Sequence, residues 1–279
     1  MRHAVLPRTY RRFVWRSGCL LPFSAMLCSG LNEWITEQIV PARARKKSSA
    51  SKPDKGLTEE RVIAAALQLI DKSGLSGFSL RDVARSLSVY PTAIYWYVES
   101  KDELLGHVVG YATRDVAPPA ANADWKAWLR EMCHRYRRAV QKHPNIAPLI
   151  GSQLLSNGGI RTDVIDGLLF VLLAAGFTEE QLVDAYNVVI GSLVGFISQE
   201  LAELPAENSA KWAEAHRKRV ATMDVMERPT LARYLPKLAN KAFIVRWSNG
   251  SQVPLDSSFD LYVDVLVMGL EQKLKARRK

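Results

Sequence analysis

Cysteine is scarce in this chain of 279 residues: Cys19, Cys28 and Cys133 are the only three. Three thiols cannot build a disulfide framework, and none has the spacing of a zinc ligand. A stapled miniprotein is excluded, and a reducing cytosol is the compartment that fits. Glycine-rich phosphate loops, nucleophile elbows and paired-histidine metal motifs are missing too. His3, His107, His134, His143 and His216 are scattered without ligand spacing, and Gly158-Gly159 reads as an isolated turn. The expectation is therefore no catalytic site, no cofactor and no metal. No stretch alternates with period two for long enough to argue a sheet; AFIVRW (Ala242 to Trp247) is at most one isolated short strand. No repeat recurs at solenoid periods.

What is present suits a soluble globular protein. The apolar fraction is 48% and the charged fraction 24%, ordinary values for a chain long enough to bury a real core. Lys and Arg number 38 against 28 Asp and Glu, a net charge of +10, which suits a polyanionic partner. The surplus is local: residues 1–56 hold eleven Lys/Arg and three acids, and the rest of the chain is close to neutral.

Residues 1–56 read as a poorly ordered basic extension. Cys19 to Leu31 (CLLPFSAMLCSGL), behind a positive stretch, has some features of a signal peptide, but Pro22 and Gly30 break it and no clean cleavage site follows. It is shorter than the roughly 20 apolar residues that cross a bilayer. Residues 41–56 form a basic, Ser-rich linker, a type of arm that can lie on phosphates or in a minor groove.

From Thr58 the periodicity is helical. Thr58 caps a helix with apolar positions Val62, Ala65, Ala66, Leu69 and Ile70, and Gly74 is its stop. Ser79 caps a second helix, with Asp82 at the acidic capping-box position and Leu80, Val83, Ala84 and Leu87 as its apolar face. A break at Ser88-Val89 precedes a third helix from Pro91 to Val98, and a fourth starts near Lys101. Further helices are expected at 124–142, 144–156, 161–175, 178–203, 208–226 and 256–276, the fourth of these opened by a Thr178/Gln181 capping box. The fold class is all-α.

Three short helices with a tight break before the last match a helix-turn-helix, in which residues 79–87 brace and 91–97 enter the major groove. Arg81 lies off the apolar face, where an arginine can read a guanine edge or bind a phosphate. Pro91, Thr92 and Ala93 keep the reading helix slim, and two of them offer methyls to a thymine. Tyr95-Trp96-Tyr97 puts three aromatics in one turn. A small helix has one buried face, so at least one hydroxyl points outward; Trp96 is expected in the core. Lys101 adds a phosphate-directed charge. Patterning alone leaves a plain three-helix bundle open, with Arg81 merely solvated.

The run FSLRDVARSLSVYPTAIYWYVESKDELL (Phe78 to Leu105) resembles the DNA-binding domain of TetR-family transcriptional regulators, supplying Ser79, Ala84, Leu87, Val89, Tyr95, Lys101, Leu104 and Leu105 of the family pattern. It departs at Ser88, where the family has a turn glycine, so a serine must take a strained backbone there or the turn must differ slightly. A second departure is Thr92, where a small residue is common. The resemblance implies operator contacts at Ser79, Arg81, Pro91, Thr92, Ala93, Tyr95, Tyr97 and Lys101.

Trp125–Pro144, Ala174–Tyr186, Gly191–Glu200 and Phe259–Glu271 resemble, more weakly, the C-terminal domain of the tetracycline-repressor branch. That likeness implies an all-α domain with an effector pocket and a four-helix dimer interface formed by the helices near 178–203 and 256–276. Gly191 and Gly195 share a face and permit close approach, and Leu261, Val265, Met268 and Leu270 form an apolar stripe; both faces could instead be buried within one subunit. Candidate effector-lining residues are Met132, Tyr136, His143, Ile150, Gln153, Asn187, Ser192, Phe196 and Gln199, each of which could equally be core. Ala147 to Ile150 is apolar where a metal-chelated tetracycline would need ligands, so an apolar or aromatic organic effector fits better.

The domains expected are 1–56, the extension; 57–102, the helix-turn-helix domain; and 103–279, the effector-binding and dimerisation domain. The implied function is a homodimeric repressor of the cytoplasm, binding a palindromic double-stranded DNA operator, released by a small organic effector and without stable membrane association. The alternatives are a small-molecule-binding protein of the same fold that does not recognise DNA, and membrane attachment through residues 10–40.

Overall fold

The computed structural model describes residues 56–119, 124–153, 161–205 and 207–276. The expectations placed on residues 1–55, including the basic arm and the apolar run, lie outside them. The chain divides into two units, Met1–Lys52 and Pro53–Lys279, and every described residue belongs to the second.

The described residues are helical, with no strand among them. In order they form α1 (Glu59–Ser73), α2 (Leu80–Ser86), α3 (Pro91–Ile94), α4 (Lys101–Ala112), α5 (Trp125–Lys142), α6 (Ala147–Gln153), α7 (Thr162–Ala175), α8 (Glu179–Glu200), α9 (Ser209–Ala221), α10 (Pro229–Leu238) and α11 (Asp256–Ala276). Two 3₁₀ turns, Pro144–Ile146 and Phe243–Val245, lie among them.

Local chemistry accounts for the boundaries. The Thr58 side chain accepts from the Arg61 amide at 3.2 Å and opens α1. Gly74, at φ 71°, closes it by donating to the Ile70 carbonyl. Val62, Ile63, Ala66, Leu67 and Ile70 are buried, three and four apart, so α1 has one apolar face. Thr178 and Gln181 form the expected capping box on α8. Gly176 ends α7 in the left-handed region at φ 106°, with Phe177 donating to Leu172 and Gly176 to Leu173.

Several boundaries differ from the sequence reading. The third helix ends at Ile94, and hydrogen-bonded turns carry the chain through Tyr97, which donates to Ile94. The segment 144–156 opens as a 3₁₀ turn because Pro144 follows the helix stop at His143; α6 is described to Gln153. The helix expected over 208–226 ends at Ala221. The candidate strand around Ala242–Trp247 has no partner strand among the described residues and is a 3₁₀ turn. Helix α10 was not anticipated: it contains Pro236 and buries none of its residues.

Helices α5 and α11 run side by side, joined by charge pairs. Lys126 meets Glu271 at 2.7 Å, Arg130 meets Asp264 at 3.1 Å and His134 lies 3.7 Å from Asp260. The last step is internal. Arg137 makes two hydrogen bonds, 2.8 and 2.6 Å, to Glu200 at the end of α8, and a 2.8 Å pair to Asp256. Arg137 and Glu200 are both buried. Glu200 also accepts from the Leu255 amide at 2.8 Å, and its carbonyl accepts from the Gly250 amide at 2.7 Å. A Cβ at Gly250 would lie 2.9 Å from that carbonyl oxygen, so only glycine fits. One carboxylate therefore ties α5, α8 and the loop entering α11.

Candidate DNA-reading head and dimer face

Helices α1 to α4 build the candidate reading head. The bend between α2 and α3 is a tight stop: Val89 donates to Ala84 at 3.0 Å and Ser88 donates to Arg85 at 3.1 Å. This is a Schellman pattern, which needs a left-handed residue after the cap. Ser88 supplies it at φ 56°, so a serine does take the strained backbone expected of it. Leu80, Val83, Ala84, Ile94 and Val98 pack inward against α1 and α4, and that packing turns the start of α3 outward.

The residues expected to touch DNA divide into two groups. Arg81, Pro91, Thr92 and Tyr95 are exposed, Tyr95 to 56%, and Ala93 is half-buried at the edge. The other three are engaged. Ser79 caps α2, accepting from the Asp82 amide and donating to its carboxylate at 2.5 Å. That hydroxyl, with Arg85 beside it, holds the Asp82 carboxyl below its ordinary value. Tyr97 is half-buried and its hydroxyl donates to the Leu57 carbonyl at 2.7 Å. Lys101 donates to the Phe78 carbonyl at 2.8 Å and lies over the Phe78 ring. Tyr97 and Lys101 thus help hold the head together, and Lys101 is exposed with further N–H groups on its ammonium.

Two exposed aromatics escaped that reading. Tyr90, just before Pro91, is 83% exposed, and Trp96, expected in the core, is 41% exposed. The helical spacing itself carries this: Ile94 and Val98, four apart, are the buried positions, and Trp96, two from each, falls on the opposite face. Tyr90 and Tyr95, with Trp96 beside them, give the head an aromatic outer surface next to Thr92.

Helices α8 and α11 present the second surface. Val183, Val188, Leu261, Val265 and Met268 are exposed, Leu261 to 63% and Val265 to 59%. Leu270, assigned to the same stripe from sequence, is buried. Gly191 and Gly195 are exposed, and a Cβ on either would touch nothing within 4 Å. Shallow, mainly apolar grooves of about 510 and 430 Å3 run between the two helices. α8 is also long and apolar enough to cross a membrane by length and composition. Its Ala185, Val189, Leu193 and Ile197 are packed in the bundle.

The effector candidates stand in different surroundings among the described residues. Met132 and Ile150 are fully buried core, and Tyr136 is half-buried. Burial pushes the Tyr136 hydroxyl far above its ordinary value. Ser192 bonds the Tyr262 hydroxyl at 2.9 Å. Phe196 touches Phe243, Phe259 and Tyr262, with ring centres 5.3 to 5.4 Å away. His143 bonds Asp71 on α1, so it joins two parts of the chain and does not line the bundle interior. Asn187 and Gln199 are exposed. They share the four-residue spacing of Gly191 and Gly195 and lie on that outward face. The side chain of Gln153 lies outside the described residues. The aromatic group of Phe196, Phe259, Tyr262 and Phe243 was not singled out, because its members come from distant parts of the chain.

Two family models match. Residues 62–108 fit "Bacterial regulatory proteins, tetR family", and residues 118–274 fit "Tetracyclin repressor-like, C-terminal domain". The chain is 31% identical over 173 residues to the HTH-type transcriptional repressor DrrR1 of Streptomyces coeruleorubidus, covering 61% of this chain and 63% of that one. It is 28% identical over 158 residues to an HTH-type transcriptional regulator of Saccharopolyspora erythraea, covering 56% and 65%. The matched stretch thus spans a little under two thirds of these relatives' own length. Among solved structures, the TetR family protein ActR of Streptomyces coelicolor, in complex with actinorhodin, shares the fold. Its TM-score is 0.59 at 19% identity, covering 78% of this chain and 96% of that one. With both halves matched, and an outward α3 carried on a Schellman turn, the chain belongs to the TetR family of bacterial regulatory proteins.

Proposed function

We propose that this protein is a homodimeric, ligand-responsive transcriptional regulator of the cytoplasm, a repressor that binds a palindromic operator in double-stranded DNA and is released by a small organic effector. Residues 57–102 act as the reading domain and 103–279 as the effector and dimer domain, with α4 continuous across the boundary. The observation that carries the reading is the outward start of α3, with Thr92 and Tyr95 solvent-facing while Ile94 between them is fully buried. A helix with a buried anchor and an exposed polar-aromatic edge suits insertion into a major groove. Arg81 is exposed beside it and makes no hydrogen bond or ion pair among the described residues. Tyr90 and Trp96 extend the contact surface, and Ser79, Tyr97 and Lys101 act mainly by holding its shape.

Dimerisation through α8 and α11 gives two heads, which read half-sites about one helical turn, roughly 34–36 Å, apart. Gly191, Gly195, Leu261, Val265 and Met268 form its centre. The effector is an apolar or aromatic molecule held near Met132, Tyr136, Ile150, Ser192 and Phe196, where aromatic side chains are concentrated. Coupling of about 1–3 kcal/mol between effector and operator would change affinity about 5–150-fold. The test is Arg81→Ala and Tyr95→Ala in the full chain, assayed on promoter fragments from the gene's own neighbourhood at several salt concentrations. Both variants should bind the specific fragment at least tenfold more weakly while remaining dimeric; wild-type affinity in both would overturn the assignment.

A further inference from the structure

The seam between α1 and the end of α5 is held by side chains that grip a helix terminus. The last carbonyls of a helix lack amide partners in the helix body; that of Ile70 accepts from the capping Gly74 and has a second lone pair to offer. At the end of α1, the Asn145 side-chain amide donates to the Ile70 carbonyl at 2.8 Å and to the Asp71 carbonyl at 3.1 Å. His143 Nδ1 lies 2.8 Å from Asp71 Oδ2. A carboxylate only accepts, so the ring nitrogen donates. Both gripping residues sit on the rigid side of the seam. His143 closes α5, and Ile146, beside Asn145, is fully buried in the bundle.

Apolar packing joins the two sides of this seam, with Ile70 of α1 and Ile146 in one buried cluster, but such packing has no directional bond to fix an angle. Beside the clamp lies a cleft of about 430 Å3, open to water and lined by Gln68, Arg114, Asp115 and Lys142 among others. The head is also tied through α4: Arg161, just before α7, donates to the carbonyls of Gly110 in α4 and of Arg114 just after it. The side-chain hydrogen bonds at the end of α1 add a second directional tie, away from the α4 axis.

We propose that Asn145, assisted by His143, is a positioning residue that fixes the angle of the reading head on the subunit body and thereby sets the half-site spacing that the dimer accepts. This rests on the proposed DNA-binding function. Spacing choice depends on head orientation, whereas binding by one head does not, so the two separate experimentally.

The test uses the full-length protein and Asn145→Ala, with a palindromic duplex selected from random-sequence DNA by the wild-type chain. Affinity is compared with duplexes in which one base pair is inserted or removed between the half-sites. Wild type should lose at least tenfold on the altered spacing and Asn145→Ala less than threefold, with dimerisation unchanged. Equal discrimination in both proteins overturns the proposal. Amide hydrogen exchange, measured without DNA, is the second arm. Residues 62–74 should exchange faster in the variant, with α8 and α11 unaffected; unchanged exchange in 62–74 also overturns it. Should selection yield no duplex, the DNA-binding reading fails, and the exchange arm still decides whether the clamp restrains the head.

Discussion

Replacing Glu200 with glutamine should destabilise the subunit by about 3 kcal/mol, since removing one partner of a buried pair costs about 3–5 kcal/mol. The lower end applies because Arg137 keeps its 2.8 Å contact with Asp256, which is largely exposed. Glutamine has nearly the shape of glutamate, but Arg137 donates to both carboxylate oxygens and Leu255 to one of them, so its NH2 faces a guanidinium N–H in either orientation. For a domain of this size about 1 kcal/mol lowers the melting temperature by about 2–4 °C, so the fall should be roughly 6–12 °C. Thermal unfolding followed by circular dichroism at fixed protomer concentration measures it; concentration is held constant because pairing shifts apparent stability. The double variant Arg137→Met/Glu200→Met removes both charges and should recover most of the loss, retaining a deficit of about 1 kcal/mol, the low end of the cost of the Leu255 amide left without an acceptor. A single-variant fall below about 2 °C, or a double variant no better than the single one, would refute the account of this lock.

Two further outcomes follow from the geometry. Ser88→Gly should raise stability by about 1 kcal/mol or less, since relief of a left-handed strain of about 1–2 kcal/mol is offset by about 0.4–1 kcal/mol of added unfolded-chain freedom; a lower urea midpoint would contradict it. Val265→Arg places a charge on the exposed apolar face of α11 and should give a folded monomer in sedimentation; a dimer at wild-type concentration would move the interface elsewhere.

Much of the fold was legible because its signals are local. Thr58, Ser79, Thr178 and Gly74 announce helix ends through side chains within three or four residues of the backbone they satisfy. α5, α7, α8 and α11 carry long periodic patterns that left little ambiguity. What was missed depends on distance in the chain. Nothing near Tyr97 or Lys101 reveals that Leu57 and Phe78 supply their carbonyl partners. Nothing near His143 reveals Asp71. α10 was missed because Pro236 lies inside it and none of its side chains is buried, so neither composition nor core pattern marks it. Trp96 was misplaced for a different reason: its bulk and apolarity argue for the core, whereas its position midway between the buried Ile94 and Val98 puts it on the outer side.

Along the outward face of α8, Gly191 and Gly195 leave two adjacent turns bare of side chains. In the dimer proposed above, such a gap would select by size: an identical chain could lay its own bare turns into it, while a related chain with leucine or phenylalanine at either step would be held off. Pairing would then be sorted by what these two positions lack.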